Sequence, residues 1–455
     1  MARVPLALGK KSDKAKAPAE SVERLLNCYL EVVPEGKEPT PIYGTGGLKT
    51  WASGLEDLIR GGMEMGEQAY VVAGTRLYRM AAGGTSTDLG QIPGTDNVSM
   101  AGDGTNVVVV AGGHIFVWNG SAVSVVTDPD APLASSVLYV DGFYVFTEQD
   151  TEQWFISALR DPVNYDALDF ASAEWKPDKL VAAVKLKDTL WLAGKKTFEA
   201  QQNTGDPAFP FSAYKELKID TGLIGRDAIT TTNDTMFWLA DDLTVRRLDG
   251  LTATLVSTAA VGRTVKAWAD PSLTVASTYV WDHHLFVKLR NPDGCVVYDQ
   301  TTDRWHDEES HEDGTWRGRH LISCYGKLLF GSATEGKIFE LSDTTYTDDG
   351  DPQLREIVTP FGWMQGKRFT VTEVELVCQT GVGSPTLDPR ILCERSKDGQ
   401  VWTGAKVRRL GKQGVTKRVL FGGQGQARQM AFRFRCSDDA KFAAFGAYVE
   451  MDAEA

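Results

Sequence analysis

Seven short apolar runs, separated by polar turns, dominate the chain from about Glu67 to Ser342. They are YVVAG at Tyr70, VVVVAGG at Val107, FYVF at Phe143, LWLAG at Leu190, MFWLA at Met236, HLFVKL at His284 and KLLFGS at Lys327. Their centres, near Val72, Val110, Tyr144, Leu192, Trp238, Val287 and Leu329, are 38, 34, 48, 46, 49 and 42 residues apart. A mean step of about 43 is the period of a propeller blade. Gly74-Thr75, Gly112-Gly113, Asn119-Gly120, Asp249-Gly250 and Asp293-Gly294 supply hairpin turns, since Gly and Asn accept the positive φ these require. Val, Ile, Phe, Tyr and Trp fill the strands. One hairpin unit cannot bury both faces, whereas a ring of units can. The pattern predicts an all-β chain built on a β-propeller of six or seven blades. Seven is favoured, although the 34-residue step makes one blade thin. The competing arrangement is an irregular all-β stack.

The flanks read differently. Residues 1–25 form a basic N-terminal arm carrying Arg3, Lys10, Lys11, Lys14 and Lys16, either a partner-contact segment or a solvated tail. Leu26, Cys28 and Leu30 alternate, and Leu26–Val33 is assigned the strand that closes the ring. Residues 26–345 make the propeller. The insert QWFISALRDPVNYDALDFASAEWKPDK reads as a structured loop or short helix, of the kind that carries contacts. Asp343–Pro352 is acidic and turn-rich, so 346–352 is the linker. Beyond it, MAFRFRC (Met430–Cys436) alternates as a half-buried strand, and FTVTEVELVC shifts its alternation near Glu373, as at a bulge. Residues 353–455 therefore predict a C-terminal β-sandwich. No long helix is expected.

With 455 residues the chain allows two or three domains. Its net charge of −13 disfavours generic attraction to phosphate backbones. Six cysteines without a CxxC pair read as reduced thiols made in a cytoplasm. No signal peptide and no membrane segment is expected, and the sequons at Asn97, Asn119 and Asn233 read as loops.

Catalytic chemistry is hard to find. GSATEGKI (Gly331–Ile338) resembles a phosphate loop but has Ile338 where Ser or Thr should hold magnesium, so it reads as a hairpin. RWHDEESHEDG (Arg304–Gly314) gathers His306 and His311 with five carboxylates, yet the spacing fits no common zinc site; a solvated acidic loop is expected. His283 and His284 on a strand would face opposite ways. SKDGQVW (Ser396–Trp402) approximates an Asp-box turn and predicts a hairpin at Asp398-Gly399. No catalytic, cofactor or metal residue is assigned, and no enzymatic activity is expected.

The order of landmarks nonetheless resembles a known family. NCYLE (Asn27–Glu31), PIYGTGGL (Pro41–Leu48), some seven hairpins including CVVYDQTTDRW (Cys295–Trp305), TPFGWM (Thr359–Met364) and EVELVCQTGVG (Glu373–Gly383) are similar to the packaged-DNA stabilisation proteins of short-tailed bacteriophages. These are the tail hub or nozzle proteins. The resemblance implies a structural virion protein, made in the host cytoplasm and located in the tail. It would form a hexameric ring below portal and adaptor, close the filled head, retain packaged double-stranded DNA and line part of the ejection channel. A tail needle, tailspike or fibre would be a further partner. An acidic channel wall would let DNA slide without sequence-specific contacts. The basic arm, Arg3, Lys10, Lys11, Lys14 and Lys16, is the candidate adaptor contact. The alternatives are a cytoplasmic propeller scaffold and a carbohydrate-binding or glycosidase propeller. A sialidase of that kind would need an arginine cluster and a tyrosine nucleophile on one face.

Overall fold

A strand covered on both faces can afford no polar alternation, and the seven apolar runs prove to be such strands. In the computed structural model, which describes residues 2–36, 38–173 and 175–453, each run is the second strand of a four-stranded antiparallel blade. The blades span residues 59–91, 99–125, 134–172, 180–219, 229–255 and 275–307, and the seventh spans 318–342 plus one strand from elsewhere. There are thus seven blades. The second strands are almost wholly buried: every residue of Val107–Ala111 and Met236–Leu239 is. The first strands neighbour one another around an axis, and Gly318–Cys324 meets Ile59–Met65 to complete the circle. The thin second blade keeps four strands by ending on a three-residue one, Val123–Val125.

The strand that closes the ring is Gly47–Ala52. It pairs antiparallel with Ile338–Ser342, Leu48 opposite Leu341. The expectation for Leu26–Val33 is therefore corrected. The reason is local. Asn27 takes a positive φ of 49°, which few non-glycine residues do but asparagine tolerates. That single residue breaks the alternation into two strands, Val22–Leu26 and Cys28–Leu30. Its side chain fixes the break by donating to the carbonyls of Glu309 (2.8 Å) and Leu354 (2.7 Å) and accepting from the Glu309 amide (3.0 Å).

Both strands enter the sandwich. One sheet holds Cys28–Leu30, Ile42–Gly44, Ala443–Ala453, Phe369–Cys378 and Val419–Ala427, with Ala2–Leu6 also on Ala443–Ala453. The other runs Val22–Leu26, Arg355–Val358, Gln429–Cys436, Arg390–Ser396 and Trp402–Arg409. Leu8, Leu25, Cys28, Leu30 and Ile42 share its core with Phe369, Phe421, Phe432 and Phe434. The residues expected as a free arm are thus folded against the C-terminal half, and the propeller strands begin at Gly47, not at residue 26. The stretch 346–352 is no loose linker either. Thr347–Asp348 and Asp351–Pro352 form a hairpin, and Asp348 runs parallel to Leu48. The register shift between Val371 and Glu373 supplies the expected bulge.

One element escaped the sequence pattern. Ala259–Ala267 is an α-helix, capped by Thr258, whose hydroxyl accepts from the Val261 amide. It is too short for a convincing period, and Gly262 and β-branched residues lower its propensity. The insert of the third blade holds the strands Gln153–Ile156 and Phe170–Ser172 joined by turns, without a helix among the described residues.

Candidate functional site: the junction of propeller and sandwich

Val22–Leu26 lies between blade six and the sandwich, bonding to Arg304–Asp307 on one side and Arg355–Val358 on the other. Two otherwise separate bodies therefore share one continuous sheet. The Arg24 guanidinium is central. It donates to Asp307 of the propeller (2.7 Å) and to Glu356 of the sandwich (3.4 Å), with Glu309 3.8 Å away. Burial works against its charge, but these carboxylates outweigh burial and raise its pKa. On the sandwich side, Glu394 takes Arg433 (2.7 Å) and Arg435 (2.6 Å). Arg355, fully buried, donates to the Tyr346 carbonyl and Gln353 Oε1, both at 2.8 Å. Arg24, Asn27, Arg355 and Glu394 carry the junction, and the sequence reading missed them. Their one signal was a polar residue at a strand position flanked by buried ones.

Beneath the junction, the first half of the supposed acidic loop is partly interior. Trp305, His306, Glu308 and Ser310 are buried. Glu308 receives Lys288 Nζ at 2.6 Å, and His306 Nε2 lies 3.4 Å from its other oxygen. The Lys288 ammonium also sits 3.1 Å from the Trp316 ring centroid. The solvated-loop expectation holds for His311, Glu312, Asp313 and Gly314, which are exposed, and is corrected for the first half, where Arg304–Asp307 is the outer strand of blade six and packs Trp305 and His306 inside. The histidine pair differs as well. Asp282 and His283 form the hairpin turn, both at positive φ, and only His284 is on a strand, 2.8 Å from Asp299. Gly331–Ile338 is a hairpin connection between two strands, and Asp398 holds its turn by accepting the Gln400 and Val401 amides at 2.9 Å.

The basic residues do not assemble into one patch. Arg3 pairs with Glu375 at 2.6 Å and lies over the Tyr448 ring. Lys11 pairs with Asp13 at 2.6 Å. Lys14 borders a small cavity with Arg24, Ala260 and Asp307, where burial, then Arg24, lowers its pKa. Lys10 and Lys16 are exposed, and neither side chain has an ion pair among the described residues. A larger cleft of about 710 Å³ opens between the two bodies, bordered by Tyr29, Tyr43, Trp281, Lys327, Glu340 and Lys441. No group of three or more His, Cys, Asp or Glu side chains is placed to hold a metal among the described residues.

Asp348, in the hairpin over the closing strand, is fully buried, and its Oδ2 has no hydrogen-bond partner among the described residues. Burial raises its pKa to about 6, against 3.8 for the free side chain. The folded state then holds a proton that the unfolded state has lost between these values, so stability falls as pH rises through the window. Asp348→Asn is expected to stabilise the protein by about 1–3 kcal/mol at pH 7.5 and to have no such effect below pH ~4. Urea midpoints at the two pH values check this; equal effects at both would refute it.

Profiles of one family match both bodies. Bacteriophage P22 Gp10, beta-propeller, covers residues 2–346, and bacteriophage P22 Gp10, beta-sandwich, covers 354–452. The chain is 22% identical over 385 residues to the tail hub protein gp10 of Salmonella phage P22, spanning 78% of this chain and 81% of that protein. Among solved structures, the computationally designed Ika8 protein aligns at 15% identity and a TM-score of 0.42, over 73% of this chain and 99% of its own. BamB from Moraxella catarrhalis aligns at 12% and 0.40, over 74% and 99%.

Proposed function

The chain belongs to the bacteriophage P22 Gp10 family, and from that premise we propose that it is a structural tail hub of a short-tailed phage. It attaches below the portal and adaptor, closes the filled head, retains the packaged DNA and forms part of the ejection channel. The observation that carries this reading is the match of both family profiles, in order, with a tail hub relative spanning most of each chain. The interlocked architecture supports it. A body whose N-terminal strands lie in the C-terminal sandwich, and whose ring is closed from the same segment, resists separation under the pressure of packed DNA. The net charge of −13 suits a wall past which a polyanion slides. The role is non-enzymatic, and the partners are further copies in a ring, the adaptor, a needle or spike, and duplex DNA read without sequence preference.

The test is to add the purified chain to DNA-filled, tailless heads of its own phage. A ring of about six subunits forming on the heads, with DNA retained against nuclease, is the expected result. A chain that never binds heads would overturn the reading. Lys10 and Lys16, two exposed cations whose side chains have no ion pair among the described residues, are the proposed adaptor contacts. The variant Lys10→Glu with Lys16→Glu is expected to bind heads roughly tenfold more weakly at low salt and to differ little at high salt. Unchanged binding at low salt would remove them from the interface.

A further inference from the structure

The first strands of all seven blades border one cavity on the propeller axis, of about 320 Å³. At the end where those strands begin, the chain places an excess of positive charge. Arg226 and His320 line the cavity, and Arg319 adjoins His320 on the first strand of blade seven, where the register shifts between Arg319 and Leu321. Asp227 is the carboxylate among them, and it is already engaged. It accepts from Arg226 Nε at 2.9 Å and Nη2 at 3.3 Å and from Asn97 Nδ2 at 2.9 Å, and Arg226 Nη1 donates to the Ser135 carbonyl at 3.2 Å, so Arg226 is engaged as well. The Arg319 side chain has no ion pair or hydrogen bond among the described residues, and its Nε is sealed from solvent without a partner. His320 Nε2 is in the same condition, and its positive φ of 53° shows that the backbone bends to put it there. Arg60 and Arg290 stand behind them, satisfied by carbonyl oxygens and not by carboxylates.

Buried donors are rarely left unmet in a folded protein, and an absent ion is one of the few explanations. A guanidinium fork matches the spacing of oxyanion oxygens. We propose that the mouth of the axial cavity is a binding site for a small oxyanion, phosphate or carboxylate, held by Arg319 and His320. The electrostatics run the same way. Burial, then the neighbouring Arg290, pulls Arg319 down to about 10, and burial with the surrounding arginines depresses His320 to about 3. An anion relieves both. No tyrosine lines the cavity, so the nucleophile that a sialidase sets beside such arginines is missing there, and the inference is one of binding. It stands independently of the tail hub reading.

The experiment titrates the full chain with inorganic phosphate, and in a second arm with sodium acetate, against chloride at equal ionic strength. Melting temperature and the histidine imidazole NMR signals are followed, the His320 signal being assigned with His320→Asn. A rise in melting temperature with a shift of the His320 signal, up to about 10 mM ligand, is expected in at least one arm, and the responding arm identifies the oxyanion. Arg319→Met should abolish the response and, in ligand-free buffer, melt no lower than the wild type, because it removes an unpaired cation. Arg319→Lys should retain part of the response. No effect in either arm, or an undiminished response in Arg319→Met, would overturn the proposal.

Discussion

Leu48→Ala is expected to lower stability by about 2–5 kcal/mol and to open the ring before any blade loosens. Leu48 is 1% exposed and packs among Tyr29, Tyr279, Phe330, Phe339 and Leu341. It sits on the strand that completes blade seven, its carbonyl accepts from the Asp349 amide at 2.8 Å, and it faces Asp348 across the parallel bridge. Truncation therefore weakens three contacts together: the blade, the hairpin above it and the aromatic cluster shared with blade six. Because these hold the first blade to the last, hydrogen exchange should accelerate first in Ile338–Ser342, Gly318–Cys324 and Ile59–Met65. A loss below about 1 kcal/mol, or exchange rising evenly over all blades, would show that Gly47–Ala52 is an ordinary edge strand.

The propeller was legible because its second strands are apolar on both faces and recur at one period. The sandwich was legible where a strand has one wet face. Met430, Phe432, Phe434 and Cys436 are buried, while Arg433 and Arg435 are held at the half-buried face by Glu394. What failed was long-range. The N-terminal segment read as an arm because five cations drew attention from Val4, Leu6 and Leu8, whose period of two was itself a strand signal. Leu8 is buried, and Val4 and Leu6 pack against the same core. Deleting residues 1–20 would accordingly strip a strand from the sandwich as well as remove charge, so it does not test an adaptor contact; the paired lysine substitutions do. The choice of closing strand was invisible for a related reason. It depends on Asn27 bending and on partners near residues 309 and 354, and a local alternation carries no information about either. Likewise His306 and Glu308 looked solvated because Lys288, which makes burial tolerable, stands twenty residues before Glu308 and two strands away in the blade.

That buried pair gives the second large effect. Burial alone would raise the pKa of Glu308. Lys288, with Nζ 2.6 Å away, and the hydrogen bond from His306 outweigh burial and hold it at about 2, against 4.5 for the free side chain. The unfolded chain thus takes up a proton on this carboxyl at a pH where the folded chain does not. The contribution is complete above pH ~4.5 and is lost as pH falls through about 2. Glu308→Gln leaves the Lys288 ammonium in a nearly dry site, with the Trp316 ring and no anion. It is expected to cost about 3–5 kcal/mol at pH 7, and Lys288→Met a similar amount through the stranded carboxylate. Replacing both, as Lys288→Met with Glu308→Gln, should cost less than the sum of the single changes, because no buried charge remains and the volumes are nearly kept. Urea denaturation of the four proteins at pH 7 measures the cycle, and repeating wild type and Glu308→Gln down to pH 3 should show the gap narrowing. If the double variant loses the sum of the single losses, the residues act by packing alone and the ion pair is not what stabilises blade six.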